Sequence, residues 1–256
     1  MPIVMRPLLF LLVLLALACS ISGCGSHRDP GRADEAHAHP PDHAHHHPGS
    51  GHPGHAEGAP GNPHGGHHAD FSDVPRFAKI FDDPERRTWQ HPAEVVALLE
   101  PSPGMTIVDL GAGTGYFESL LAAAVAPGGR VLALDVEPAM VEYMNERFAT
   151  AGLESVEARV VRGDDPDLPP GSVDRILIVD TWHHLPDRER YAKRLRTALR
   201  PGGSILVVDF TPESPHGPPA SMRLSEKRVA DELLRAGFEV DVLEESLPWQ
   251  YVIRAR

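Results

Sequence analysis

The chain has 256 residues, enough for one large domain with an appendage but hardly for two cores of ordinary size. Its 24 basic and 36 acidic side chains give a net charge of −12. There is no basic excess to attract a phosphate backbone, so nucleic acid is a disfavoured partner.

The first residues, MPIVMRPLLFLLVLLALACSISGC, place Arg6 ahead of an apolar run from Leu8 to Ala18. That run is short for a permanent bilayer helix and matches the apolar region of a secretory signal. Ile21-Ser22-Gly23-Cys24 resembles the lipobox of bacterial lipoproteins. The resemblance implies a signal peptide over 1–23, lipidation of Cys24, and export to the cell envelope on the periplasmic side or the outer membrane, with attachment through the lipid. The competing readings are an uncleaved anchor, or a misread start ahead of a cytosolic enzyme. Cleavage before Cys24 discards Cys19, the only other cysteine. No disulfide is then left, and stability must rest on a packed core.

Residues 24–70 read as a flexible tether. From Gly25 to Asp70 no aliphatic residue is larger than Ala, so the segment cannot bury enough apolar surface to offset the entropy of ordering it. Eleven histidines lie between His37 and His68, with His43, His45, His46 and His47 the densest group. Such a tract binds zinc, nickel or copper weakly and in many geometries, or has no metal role. A fixed metal centre needs supporting contacts that a tether lacks, so no required metal is expected.

From Phe71 the texture becomes that of one domain, 71–256. The entry segment FDDPERRTWQ, 81–90, is too polar for core and reads as a solvated linker, or as a lid if the domain belongs to a family whose entry segment closes over its ligands. Helical spacing of Val95, Val96, Leu98 and Leu99 predicts a helix that stops near Pro101. MTIVDL is a strand, followed by the loop GAGTGYF and the helix FESLLAAAVA. RVLALDV is a second strand, and PAMVEYMNERFATAG a helix with Pro in its first turn and Gly at its end. VEARVVRG, VDRILIVD and GSILVVDF are further strands, with DRERYAKRLRTALRPGG as the helix before the last of them. Near-continuous Val, Ile and Leu alternating with helices marks parallel strands covered on both faces. After the helix SEKRVADELLRAGF, the runs FEVDVLEES and YVIRAR are separated only by Leu247-Pro248-Trp249-Gln250. That link is too short for a parallel crossover and predicts an antiparallel hairpin. The predicted fold is α/β, a Rossmann-like doubly wound sheet of seven strands, five parallel plus a C-terminal antiparallel hairpin.

The glycines Gly111, Gly113 and Gly115 are spaced G-x-G-x-G between a strand and a helix, where the backbone turns sharply and approaches a ligand. They lack the spacing of a dinucleotide fingerprint and the G-K-[ST] of a P-loop. Asp135 ends the second strand twenty residues past Gly115, where a carboxylate can accept ribose hydroxyls.

DLGAGTGYF, LALDVEPAM, VRGDDPDLPPGSVD, ILIVDTWHHLPD and LRPGGSILVVDF, in this order and spacing, resemble the class I methyltransferases that use S-adenosylmethionine. The resemblance covers Val95 to Arg256 and is nearest to the small-molecule branch that includes quinone and arsenite methyltransferases. It implies that Asp109 and the backbone of Gly111, Ala112, Gly113, Thr114 and Gly115 hold the methionine part of the donor. Asp135, with Val136 beside it, takes the ribose. Met140 packs on the adenine, and Asp164 accepts from its exocyclic amine beside the Asp165 backbone. Asp180 lies next to the transferred methyl. Bland readings stand beside these: Asp109 a cap, Asp164 and Asp165 a solvated turn, Met140 core.

The acceptor side is expected in Asp180-Thr181-Trp182-His183-His184-Leu185-Pro186-Asp187, which leaves the carboxyl end of a central strand. His183 or His184 can act there as general base, Asp180 being the third catalytic candidate, or the histidines simply pack and cap. Trp89, Tyr116 and Trp182 form either an aromatic wall or core. TPESPHGPPASMRL, after the fifth strand, lies on the same side and completes the acceptor pocket. The expected function is methyl transfer to a small molecule by a lipid-anchored, exported, monomeric or dimeric enzyme. The alternatives are a non-catalytic binding module for a nucleoside-like ligand or transition metal, and a cytosolic methyltransferase.

Overall fold

In the computed structural model, residues 71–256 are described. The expected signal peptide over 1–23 and the expected tether over 24–70, with Cys24 and the histidines His43, His45, His46 and His47, lie outside them. The entry segment folds into helix α1 (Val74–Phe81), a single 3-10 turn at Pro84–Arg86 and helix α2 (Arg87–Gln90). Helix α3 (Pro92–Leu98) follows, then strand β1 (Thr106–Leu110), α4 (Glu118–Val125), β2 (Arg130–Asp135), α5 (Pro138–Ala151) and β3 (Val156–Val160). The second half runs β4 (Val173–Val179), a 3-10 turn at Trp182–His184, α6 (Arg188–Ala198), β5 (Leu199–Phe210), α7 (Glu226–Arg235), β6 (Val240–Leu243) and β7 (Gln250–Ala255).

The strands form one sheet in the order β3-β2-β1-β4-β5-β7-β6. The first five are parallel, and β7 runs antiparallel to both β5 and β6. Neighbouring residues of a strand point to opposite faces, and that alternation divides the core. Val108, Ile176, Ile178 and Val207 pack with Leu195 of α6 and Leu233 of α7. Ile107, Leu177, Leu206 and Val208 pack with Val95 of α3 and Leu121 of α4 on the other side. Because both faces are covered, these strands read as unbroken aliphatic runs. Fully burying each such side chain contributes about 1.5–3 kcal/mol.

Two element boundaries differ from the sequence expectation. The helix of DRERYAKRLRTALRPGG stops at Ala198, and the strand begins at once with Leu199. Leu199 pairs with Val173 and Ser204 with Arg175, so Arg200 to Gly203 bulge from the ladder. Pro201 cannot continue a helix, and Gly202 takes φ +79°. The polar entry segment is also no solvated linker. Gln90 is fully buried, and its amide oxygen accepts from Arg86 Nε at 3.2 Å and Nη2 at 3.0 Å. Polar side chains that satisfy one another can be buried where composition alone argues against it.

The chain winds outward from β1 through β2 to β3, then returns to place β4 against the free side of β1. The loops after β1 and β4 therefore leave in opposite directions and open a crevice at the carboxyl end of the sheet, where open α/β sheets bind ligands.

Candidate functional site

Carboxylates stand at the carboxyl ends of four strands: Asp109 in β1, Asp135 ending β2, Asp180 just after β4 and Asp209 in β5. The loop after β1 is tied to its neighbours. Gly111 and Ala112 donate their N–H groups to Leu134 O at 2.7 and 3.1 Å, Gly113 donates to Asp135 Oδ2 at 2.9 Å, and Gly115 donates to Ala112 O at 3.0 Å. With those amides engaged inside the protein, the loop is not a phosphate cradle.

Two glycines are required by packing. Gly111 has φ +78°, and a Cβ there would lie 2.3 Å from Thr181 Oγ1. Gly115 also has φ +78°, and its Cβ would lie 2.7 Å from the Phe148 ring of α5. The spacing thus serves the closure of the β1 loop against β4 and α5. Ala112 is buried in the small cluster with Ala133 and Met144. Thr114 is buried and donates to Asp82 Oδ1 at 2.9 Å, while Arg147 of α5 donates to Asp82 Oδ2 at 2.8 Å. The end of α1 is thereby latched over the glycine loop, and Phe81 lies 3.4 Å from the position a Gly113 Cβ would take.

Asp135 is nearly buried, and each of its oxygens accepts one backbone N–H, from Gly113 and from Glu137, at 2.9 Å. Burial pushes its pKa up against those bonds. Each carboxylate oxygen has a further lone pair for a hydroxyl donor. Burial also pushes Asp109 up to about 7, and it raises Glu118 well above the usual range beside it. Val136 is exposed at the end of β2, while Met140 is fully buried in the first turn of α5. The Asp165 side chain is held by its own neighbours. Its carboxylate accepts the Asp167 N–H, which is the main cause of its lowered pKa, and pairs with Arg194 and Arg162. Asp164 is half exposed, 3.7 Å from Arg162.

Asp180 sits at φ +54°, an uncommon left-handed position for an aspartate. Gln250 Nε2 donates to its Oδ1 at 2.5 Å, Gln90 Nε2 donates to Gln250 Oε1 at 2.5 Å, and Arg86 lies 3.6 Å from its Oδ2. The Arg86 guanidinium also rests 4.2 Å from the Tyr116 ring centre. Burial holds Asp180 up at about 7, opposed by Arg86.

Of the three aromatics, Tyr116 and Trp89 both flank Arg86, at 4.2 and 6.0 Å, and Trp182 stands apart. Trp182 is fully buried and donates to Glu232 at 3.0 Å, Tyr116 faces Arg86, and Trp89 stacks on His216 at 4.8 Å. The histidines after β4 have distinct surroundings. His183 Nδ1 lies 2.9 and 3.1 Å from the two oxygens of Asp209, with both side chains buried. His184 lies 4.2 Å from His183 and 5.9 Å from Phe71, ring centre to ring centre. Both line a cavity of about 290 Å³ closed by Leu185, Ser221, Met222 and Leu224. Residues of TPESPHGPPASMRL thus do form part of a pocket beside the histidines.

Sequence reasoning missed Arg86, Gln90, Gln250 and Asp209. Asp209 had a signal, since it repeats the pattern of a carboxylate at a strand's carboxyl end. Arg86 and Gln90 lie one helical turn apart, and Gln250 joins them only through a contact 160 residues away in the chain. Among the described residues no cluster of metal-ligating side chains occurs.

Residues 107–203 match the family model described as "Methyltransferase domain". Among curated proteins, the protein-L-isoaspartate O-methyltransferase of Aeropyrum pernix is 35% identical over 120 residues, 46% of this chain and 44% of that protein. The arsenite methyltransferase of Halobacterium salinarum is 32% identical over 121 residues, 46% of this chain and 30% of its own. The chain thus spans less than half the length of either relative. A crystal structure of an S-adenosylmethionine-dependent methyltransferase from Aquifex aeolicus superposes with a TM-score of 0.68 at 29% identity, covering 73% of this chain and 98% of that one. Residues 107–203 thus resemble a methyltransferase domain, and they lie on a seven-stranded, Rossmann-like fold shared with that methyltransferase structure.

Proposed function

We propose that this protein transfers a methyl group from S-adenosylmethionine to a small molecule, with His183 as general base. The observation that carries the reading is the buried His183–Asp209 pair beside a cavity at the carboxyl ends of β4 and β5. When bound, S-adenosylmethionine supplies a methyl group on a sulfonium, a good leaving group. The residues of the crevice fit such a ligand. Asp135 has acceptor capacity for ribose hydroxyls, and a cation bound beside Asp109 and Asp180 would favour the ionised form of carboxyls that burial otherwise holds up at about 7.

Asp209 holds the hydrogen on His183 Nδ1 and so keeps Nε2 basic. His183 then takes the proton of an acceptor O–H or S–H at Nε2, and Asp209 stabilises the imidazolium that results. Asp180, fixed by Gln250 and Arg86, orients the floor of the crevice. Calorimetric titration of S-adenosylmethionine into the full chain should give saturable heat, and Asp135→Ala should abolish it. Absence of heat from the wild type would overturn the reading.

We further infer that the protein is exported and lipid-anchored. The support is the sequence MPIVMRPLLFLLVLLALACSISGC alone. Treating the native cells with globomycin should cause an unprocessed precursor to accumulate. Unchanged processing would return the enzyme to the cytosolic alternative.

A further inference from the structure

The cavity beside His183 has an uneven lining. Leu185, Met222 and Leu224 give it apolar surface beside the polar groups of His183, Arg188 and Arg228. Both arginines share one carboxylate. Arg188 donates to both Glu232 oxygens at 2.7 and 2.9 Å, and Arg228 Nε reaches Glu232 Oε1 only at 3.4 Å. Burial raises the Glu232 carboxyl, but Arg188, Trp182 and Arg228 together hold it below its ordinary pKa, so it stays ionised and fixes both cations. Two guanidiniums on one carboxylate leave a net positive charge there. The other carboxylate in the lining, Asp187, is already 3.3 Å from Arg190.

A third cation adds to this field. Arg223 donates only to the carbonyls of Pro218, Pro212 and Ser214, and has no carboxylate partner among the described residues. It braces the loop after β5 that supplies Met222 and Leu224. In a chain of net charge −12, three neighbouring arginines with a single carboxylate partner among them stand out. Each guanidinium has five N–H donors. Arg188 uses two on Glu232 and Arg228 one, so an incoming anion finds free, planar donors there.

We propose that this cavity takes the methyl acceptor, and that the acceptor is a small molecule with an apolar part and one anionic group, such as a carboxylate, held by Arg228 and Arg188. Its nucleophilic hydroxyl or thiol lies at the His183 end. This rests on the methyltransferase reading above. The volume of about 290 Å³ is at the small end of ligand pockets.

The test uses three probes of one shape and different charge: 4-hydroxybenzoate, neutral 4-hydroxybenzamide and cationic 4-hydroxybenzylamine. Each is titrated into the full chain by calorimetry, with and without S-adenosylhomocysteine. The anion should bind at least about tenfold more tightly than the amide, a difference of ~1.4 kcal/mol, and the amine should not bind. Arg228→Gln removes an exposed, weakly paired guanidinium that the fold does not need; it should erase most of the preference and leave the affinity for the amide unchanged. Equal binding of anion and amide, no binding by any probe, or a preference that survives Arg228→Gln would each overturn the proposal. Heat from S-adenosylhomocysteine alone reports the donor site separately. Its absence would count against the methyltransferase reading, while the anion preference would still decide the cavity's chemistry.

Discussion

Asp180 carries a chemistry that composition hides, because its carboxyl is buried between a guanidinium and an amide. Burial dominates and holds it up at about 7, from an ordinary value of 3.8. Between roughly pH 4 and 7 the folded chain therefore keeps a proton that the unfolded chain has released, and stability from this group falls as pH rises through that window. Asp180→Asn retains the oxygen that accepts from Gln250 but cannot ionise. Urea unfolding should find it close to wild type at pH 4.5 and more stable at pH 8, by on the order of 1–3 kcal/mol. A variant destabilised most at pH 8 would show that the attraction of Arg86 outweighs burial. Asp109, also held near 7 beside Glu118, should slope the remaining profile in the same direction.

Among the elements, the 3-10 turn at Trp182–His184 and the end of β5 act together. Trp182 anchors the turn in the core through Glu232, which leaves His183 pointing its Nδ1 at Asp209. His183→Ala should lower kcat by about 10²–10⁴, the range for loss of a general base, with donor affinity in calorimetry unchanged. Asp209→Asn should also depress kcat, because an amide can present N–H to Nδ1 and favour the tautomer that leaves Nε2 protonated. An exchange in which either variant keeps full kcat would remove the pair from the mechanism. The glycine loop shows the same interdependence of elements. Its spacing was legible as a ligand-approach motif, but Gly111 and Gly115 are also demanded by Thr181 and Phe148, on elements formed much later in the chain.

At the scale of the molecule, each side chain assigned to the donor or acceptor site belongs to residues 71–256. Removal of residues 1–70 should leave the affinity for S-adenosylmethionine within about twofold of the full chain, the spread expected for distant, independent changes. A large loss, restored by added zinc, would bring the histidine tract into the site after all. The sequence by itself determined the alternation of buried strands and helices, the terminal hairpin and the carboxylates at strand ends, since periodicity and link length are local properties. It also marked Asp135 and His183, because each ends or follows a strand whose direction was already evident. Only the tertiary structure decided that polar Arg86 and Gln90 belong inside, that Asp165 pairs with Arg194, and that Arg188 and Arg228 share one carboxylate beside a cavity. The reason is physical: whether a charged side chain is solvated, paired or poised depends on groups that folding brings to within a few ångströms, and one-dimensional order does not record that distance.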